Sequence, residues 1–203
     1  MITVQYMSNR STLWREVWSL STDSSWLKSI HSFHLSDTIM FDALSLSHLP
    51  KTEQYQQLVQ QARVLMEGET DKIANAANMS ALVMHALPDL NWAGFYFYDG
   101  TELVLGPFQG KPACLRIQLE RGVCGAAATT RQTQLVPDVH AFPGHIACDA
   151  ASRSEIVVPL LHEGRLIGVW DVDSPIAARF DVQDQSGMEM LCQIYLDSVF
   201  GIR

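Results

Sequence analysis

Apolar positions recur with a helical period over the first part of this chain and change to a strand-like pattern near residue 92. After Pro50, the segment TEQYQQLVQQARVLME places Tyr55, Leu58, Val59, Ala62, Leu65 and Met66 at helical spacing, which predicts an amphipathic helix. A break at Gly68-Glu69-Thr70 separates it from a second helix running from about Asp71 to Ala86 and ended by Pro88. From Trp92 onward WAGFYFY and ELVLGPF flank a turn at Asp99-Gly100, the signature of a hairpin. ACLRI predicts a further short strand carrying Cys114, VCGAAATTRQ a short helix after Gly122, and QLVP a small strand. The stretch DVHAFPGHIACDAASRS is too polar and interrupted to be regular, and predicts a loop.

EIVVPLLH and RLIGVWDVDS flank Glu163-Gly164 as a second hairpin. Their nearly continuous apolar runs predict a sheet covered on both faces. A final helix begins near Asp181, an N-cap candidate, and sets Met188, Leu191, Cys192, Tyr195 and Val199 along one stripe. No internal repeat is present. Helices, then antiparallel strands, then a closing helix predict an α+β sandwich with long loops over one face.

Composition adds a boundary. Residues 1–40 hold three basic and three acidic groups, nine serines and three tryptophans, without sustained periodicity. They read as a poorly ordered extension or an upstream segment that is not always translated, with Met40 as an alternative start. Residues 41–203 then hold 11 basic and 19 acidic groups, and therefore the whole net charge of -8; the domain is expected there. A surface of that sign repels phosphate backbones, which argues against nucleic acid and anionic membrane as partners. No apolar run approaches the roughly 20 residues that span a bilayer. The amino terminus lacks the basic and apolar regions of a secretory signal. A cytoplasmic location is expected.

In that compartment the cysteines are not expected to form a structural disulfide framework. Three of the four, Cys114, Cys124 and Cys148, fall within one short stretch, a clustering that points to redox or metal chemistry. Cys148 sits in the polar segment HIACDAAS, where a reachable thiol with a lowered pKa would be nucleophilic; the alternative is a small buried thiol. Cys124, between Gly122 and Gly125, fits a thiol exposed at a helix start. Cys192 lies on the apolar stripe of the last helix and reads as core filler.

On the strand RLIGVWDVDS, alternation puts Ile167, Val169, Asp171 and Asp173 on one side. Two carboxylates thus continue an apolar face, where burial and mutual repulsion would keep a proton near neutral pH for general-acid work. Glu155, just before the apolar run IVVPLL, is placed to join them. The alternative is a pair of solvated aspartates at a strand end. Trp92, Phe95, Tyr96 and Phe97 read mainly as strand core, with Trp92 and Tyr96 able to wall an apolar pocket. His145 lies three residues before Cys148, but the chain has no C-x-x-C pair and the ligands would come from scattered loops, so no metal site is expected.

The segments NWAGFYFY, LVLGPFQGKPACLRI, RGVCG, DVHAFPGHIACDAASRSEIVVPL and IGVWDVDS together resemble the free methionine-(R)-sulfoxide reductases, single GAF-domain enzymes, from about Tyr55 to Leu196. The resemblance implies a GAF-like α+β fold, a central antiparallel sheet of about six strands flanked by helices. It implies Cys148 as the nucleophile, Cys114 as the resolving cysteine, and Cys124 as an additional or alternative resolving thiol. Glu155, Asp171 and Asp173 match the acidic groups that bind the substrate ammonium and polarise the sulfoxide. Trp92 and Tyr96 match the pocket wall, and backbone amides around Ile146, Ala147 and Cys148 would meet the substrate carboxylate. No cofactor is implied; thioredoxin is the expected reductant, and a homodimer follows from family analogy alone.

Two other classes are open to the same residues. One is a GAF sensory module binding a small ligand such as a cyclic nucleotide or tetrapyrrole, although no output domain fits in 203 residues. The other is a zinc-binding structural domain.

Overall fold

A computed structural model describes residues 46, 48–144 and 150–201, all within the unit 41–203. The extension 1–40 and the segment 145–149 lie outside the described residues. The elements follow in the order α1 Lys51–Leu65, α2 Lys72–Ala86, β1 Trp92–Tyr98, β2 Glu102–Gly110, β3 Arg116–Gln118, α3 Gly122–Thr130, β4 Gln134–Val136, β5 Ser154–His162, β6 Arg165–Ser174 and α4 Val182–Phe200. The helix-then-strand order and both hairpins therefore agree with the apolar pattern. A 3-10 turn at Val139–Ala141 is the one regular element inside the expected long loop, among the described residues.

The strands form one antiparallel sheet in the order β3-β2-β1-β6-β5-β4. Each hairpin has its turn chemistry. Asp99 Oδ1 accepts from the backbone N–H groups of Thr101 and Glu102 at 2.9 and 3.0 Å, closing the first. The second turns on Glu163 and Gly164, both left-handed (φ 49° and 73°), as a two-residue loop requires.

Helices α1, α2 and α4 cover one face of the sheet, over Phe95, Ile156, Val158, Leu160, Trp170 and Val172. Cys192 belongs to that core at 3% exposure, in line with its place on the apolar stripe. Asp181 caps α4 by accepting from the N–H groups of Gln183 and Asp184, and Asp184 completes a capping box by accepting from Asp181 N. The same wholly buried Asp184 carboxylate accepts from the Tyr55 hydroxyl at 2.9 Å and Arg179 Nη1 at 3.1 Å, and also pairs with Lys51 Nζ. This charge is buried because it is fully partnered, and it ties α1 to α4. Burial, and then the Asp184 charge, push the Tyr55 hydroxyl far above its usual range.

The second face carries α3 and the chain connections, over a smaller core that includes Tyr96, Val123, Ala127, Val157 and Val169. Two sequence expectations change here. β3 begins at Arg116, so Cys114 precedes the strand instead of lying on it. Pairing with β2 starts only where Leu105 N donates to Leu115 O, and Pro112 has no N–H to extend the ladder. Cys124 lies in the first turn of α3 and is buried, at 5% exposure, not exposed at a helix start. The small residues Gly122, Gly125 and Ala127 let α3 sit close on the sheet, which encloses the thiol beneath it.

Candidate active site

The expected acidic and aromatic residues meet on the α3 face at the centre of the sheet. In the β1–β6–β5 register, Asp173 stands between Trp92 and Glu155, and Asp171 between Gly94 and Val157. Partners across an antiparallel pair share a face, so Trp92, Tyr96, Glu155, Asp171 and Asp173 all project to one side. The two aspartates differ in environment. Asp171 is 7% exposed and Glu155 6%, whereas Asp173, nearer the strand end, is half-buried. Of the two readings of this strand, enclosure holds for Asp171 and only in part for Asp173.

Cys124 reaches down from α3 onto this pair. Its Sγ lies 3.4 Å from Asp171 Oδ2 and 4.0 Å from Glu155 Oε1. Glu155 and Asp171 also share a side-chain hydrogen bond. Burial, followed by the charges of Asp171 and Asp173, pushes Glu155 well above the carboxylate range. Burial pushes Asp171 up to about 7, with the hydrogen bonds from Cys124 and Glu155 pulling against it. Burial, then the Asp171 and Glu155 charges, push the Cys124 thiol well up, so it keeps its proton and acts as a donor. Tyr96 is pushed up by burial and then by Asp171. The donor atoms of Cys124, Glu155 and Asp171 lie within 4.8 Å of one another, the arrangement among the described residues nearest to a metal-ligand set. One thiol and two carboxyls enclosed this closely form an acidic cluster that a cationic group would complement.

An aromatic wall borders the cluster. The Trp92 ring stacks on Tyr96 (centroids 5.9 Å apart) and on Phe108 (5.4 Å), and Trp92 Nε1 donates to Lys111 O at 3.1 Å. Gly94 makes the stack possible: a Cβ there would lie 2.5 Å from Trp92 Cη2 and 2.4 Å from Phe108 Cβ. Backbone bonds fasten the connections at the edge of the site. Asn91 N donates to Asp173 O, Arg153 N to Ser174 O and Val139 N to Arg153 O, and Asn91 Nδ2 donates to Ser152 Oγ at 3.0 Å.

Of the remaining expected residues, Cys114 packs against the core that holds Trp92, Tyr96 and Cys124, and the others lie outside the described residues. Cys114 is disulfide-bonded and half-buried, while Cys124 and Cys192 are free thiols. Ile146, Ala147 and Cys148, with His145, lie outside the described residues. Phe108 was not anticipated. Counting back evenly from the first turn pairs it with Ala93, on the opposite face; an irregularity between Gly94 and Tyr96 shifts the register by one and pairs it with Gly94.

Burying an acid cluster has a stability consequence with a definite sign. Asp171 titrates near 3.8 when unfolded and at about 7 in the folded chain, so the folded state binds the proton more tightly. Stability is therefore lost as pH rises from about 4 to about 7. Asp171→Asn removes that cost while keeping the shape. It should stabilise the protein by on the order of 2 kcal/mol at pH 8 and little at pH 4, measured by urea unfolding at both. Equal offsets at the two pH values would contradict the assignment.

A six-stranded antiparallel sheet with three helices on one face and a short helix over buried acidic groups on the other is the architecture of a GAF domain, and the GAF domain family model matches residues 69–194. A Burkholderia vietnamiensis protein described as a GAF sensor is 69% identical, with a TM-score of 0.73 over 75% of this chain and 98% of that one. The free methionine-R-sulfoxide reductase of Escherichia coli is 53% identical over 141 residues, 70% of this chain and 86% of the relative. That of Neisseria meningitidis, solved in complex with its substrate, is 44% identical with a TM-score of 0.74, over 78% of this chain and 95% of that one. The chain belongs to the GAF-domain family of free methionine-R-sulfoxide reductases, which are oxidoreductases.

Proposed function

We propose that this protein reduces free L-methionine (R)-sulfoxide to L-methionine in the cytoplasm, with Cys148 as nucleophile and thioredoxin as reductant. The observation that carries the reading is the meeting of Glu155, Asp171 and Asp173 on one sheet face beside the Trp92 wall. A free amino acid brings an ammonium group that needs carboxylate acceptors. Its methyl-sulfur end suits the rings of Trp92, Tyr96 and Phe108, while amides around Ile146, Ala147 and Cys148 are assigned to its carboxylate.

A sulfoxide oxygen leaves sulfur readily only once it is protonated, and Asp173, supported by Glu155, is the proposed acid. The Cys148 thiolate attacks the sulfoxide sulfur. Two electrons pass from the cysteine sulfur to the substrate, methionine leaves, and the oxygen remains on Cys148 as sulfenic acid. The Cys114 thiol attacks that sulfur, forms a disulfide and releases water. The assignment of Cys114 to this step is supported by its being disulfide-bonded while Cys124 and Cys192 carry free thiols. Dithiol exchange with thioredoxin then restores two thiols and oxidises the reductant. Methionine sulfoxide inside a peptide chain lacks the free ammonium and is excluded.

The Burkholderia relative, described as a sensor, favours a second reading, a non-catalytic ligand-binding module. Titrating reduced protein with free methionine (R)-sulfoxide separates the two. The enzymatic reading expects two thiols lost per methionine formed, and none with the peptide-bound sulfoxide. An unchanged thiol titre would leave the binding module as the function.

A further inference from the structure

Only two of the three clustered cysteines have a place in the proposed reaction sequence, and the third, Cys124, sits where thiol exchange is hardest. It is 5% exposed, in the first turn of α3, and its Sγ points at the carboxylates of Asp171 and Glu155. A resolving or exchanging thiol has to become a thiolate and meet another sulfur nearly in line. Buried beside two acids, the thiolate is the disfavoured form. What this geometry does provide is a donor: an S–H directed at Asp171 Oδ2 from 3.4 Å.

We propose that Cys124 is a positioning residue, whose S–H holds the Asp171 carboxylate as the acceptor for the substrate ammonium and is not itself oxidised in turnover. The inference rests on the proposed function for its ammonium and on geometry alone for its hydrogen bond. Among the described residues, the titratable groups that face Asp171 are acids or weak acids: Cys124 from α3, Glu155 from β5, Tyr96 from β1 and Asp173 from its own strand. In that company a donor to Asp171 matters, because it lowers the pH at which the carboxylate becomes charged.

The sign of the effect follows. Removing the donor makes Asp171 hold its proton to higher pH, so the acceptor for the ammonium is lost at neutral pH. Cys124→Ala should raise KM for the free sulfoxide up to about tenfold with kcat little changed, and move the acidic limb of kcat/KM upward by about one pH unit. Cys124→Ser, which keeps a hydroxyl donor, should restore most of both. The alanine variant should still lose two thiols per substrate, which a resolving cysteine would not permit. A readout independent of turnover is the Asp171 carboxyl titration, followed by carbon NMR in the full chain without substrate. It should move upward by about one pH unit in Cys124→Ala and return in Cys124→Ser. Superimposable titrations in all three proteins, or Cys124 recovered in oxidised form after a single trapped turnover, would overturn the proposal. An inactive wild-type protein that nonetheless shows the NMR shift would instead refute the enzymatic reading and leave the hydrogen bond standing.

Discussion

A Cys148→Ser variant should lose thioredoxin-dependent turnover of free methionine (R)-sulfoxide, with kcat/KM falling by at least about a thousandfold. The size of the loss follows from the chemistry asked of that atom. In the proposed reaction, sulfur is the nucleophile, the electron donor and then the temporary carrier of oxygen. A serine hydroxyl is a far weaker nucleophile near neutral pH and has no sulfenic acid state to pass through. The control is Cys192→Ala. Cys192 lies in the apolar core under α4, on the face of the sheet away from the acid cluster, and its replacement should leave turnover at the wild-type level. Steady-state rates with thioredoxin, repeated with a small dithiol, distinguish loss of the nucleophile from loss of docking. Near-normal turnover by Cys148→Ser under either reductant would refute the assigned nucleophile.

The parts of this molecule that could be read from its sequence are those that local periodicity determines. The β5–β6 hairpin was legible because two apolar runs flank Glu163-Gly164, and α4 because Asp181 precedes a clean apolar stripe. Alternation along β6 placed Asp171 and Asp173 on one face, and Glu155, expected to join them, does so from the next strand opposite Asp173. What periodicity does not carry is depth. Nothing local distinguishes the enclosed Asp171 from the half-exposed Asp173, since that difference is made by α3 crossing the sheet. The same crossing buries Cys124, whose flanking glycines suggest exposure when read along the chain and allow close packing when seen in space. Register was the other limit: one irregularity near Gly94 moves Phe108 to the opposite face from the one even counting assigns. Asp184 escaped notice for a related reason. Its partners Tyr55, Arg179 and Lys51 come together only in the folded chain.

The cluster also couples stability to function. Glu155 and Asp171 are enclosed on a sheet face that an all-apolar set would fill at lower cost, and Asp171 loses stability to ionisation across the neutral range. Their shared hydrogen bond and the Cys124 donor reduce that cost without abolishing it. A cationic group arriving beside them would offset more of it than any neutral ligand, and under the proposed function that favours a free amino acid over the same side chain in a peptide.

The second large effect is expected at Asp173, and it should appear in chemistry and not in folding. Asp171 and Glu155 are enclosed, and Asp173 stands half-buried at the strand end between Trp92 and Glu155. A half-buried carboxyl can exchange protons with solvent, which suits the proposed role of delivering a proton to the sulfoxide oxygen and recovering one after each turnover. Asparagine has the same shape and still offers a hydrogen bond, but it has no proton to transfer. Asp173→Asn should therefore slow the single-turnover formation of methionine by about a hundredfold or more, while substrate affinity changes far less. The melting temperature should stay close to wild type, because the substitution opens no cavity in either core. Rapid-quench measurement of the first turnover, with thiol loss followed in parallel, isolates this step from reduction by thioredoxin. An unchanged first-turnover rate would remove Asp173 from the acid role and pass it to Glu155, the neighbouring carboxyl that burial pushes well above its usual range.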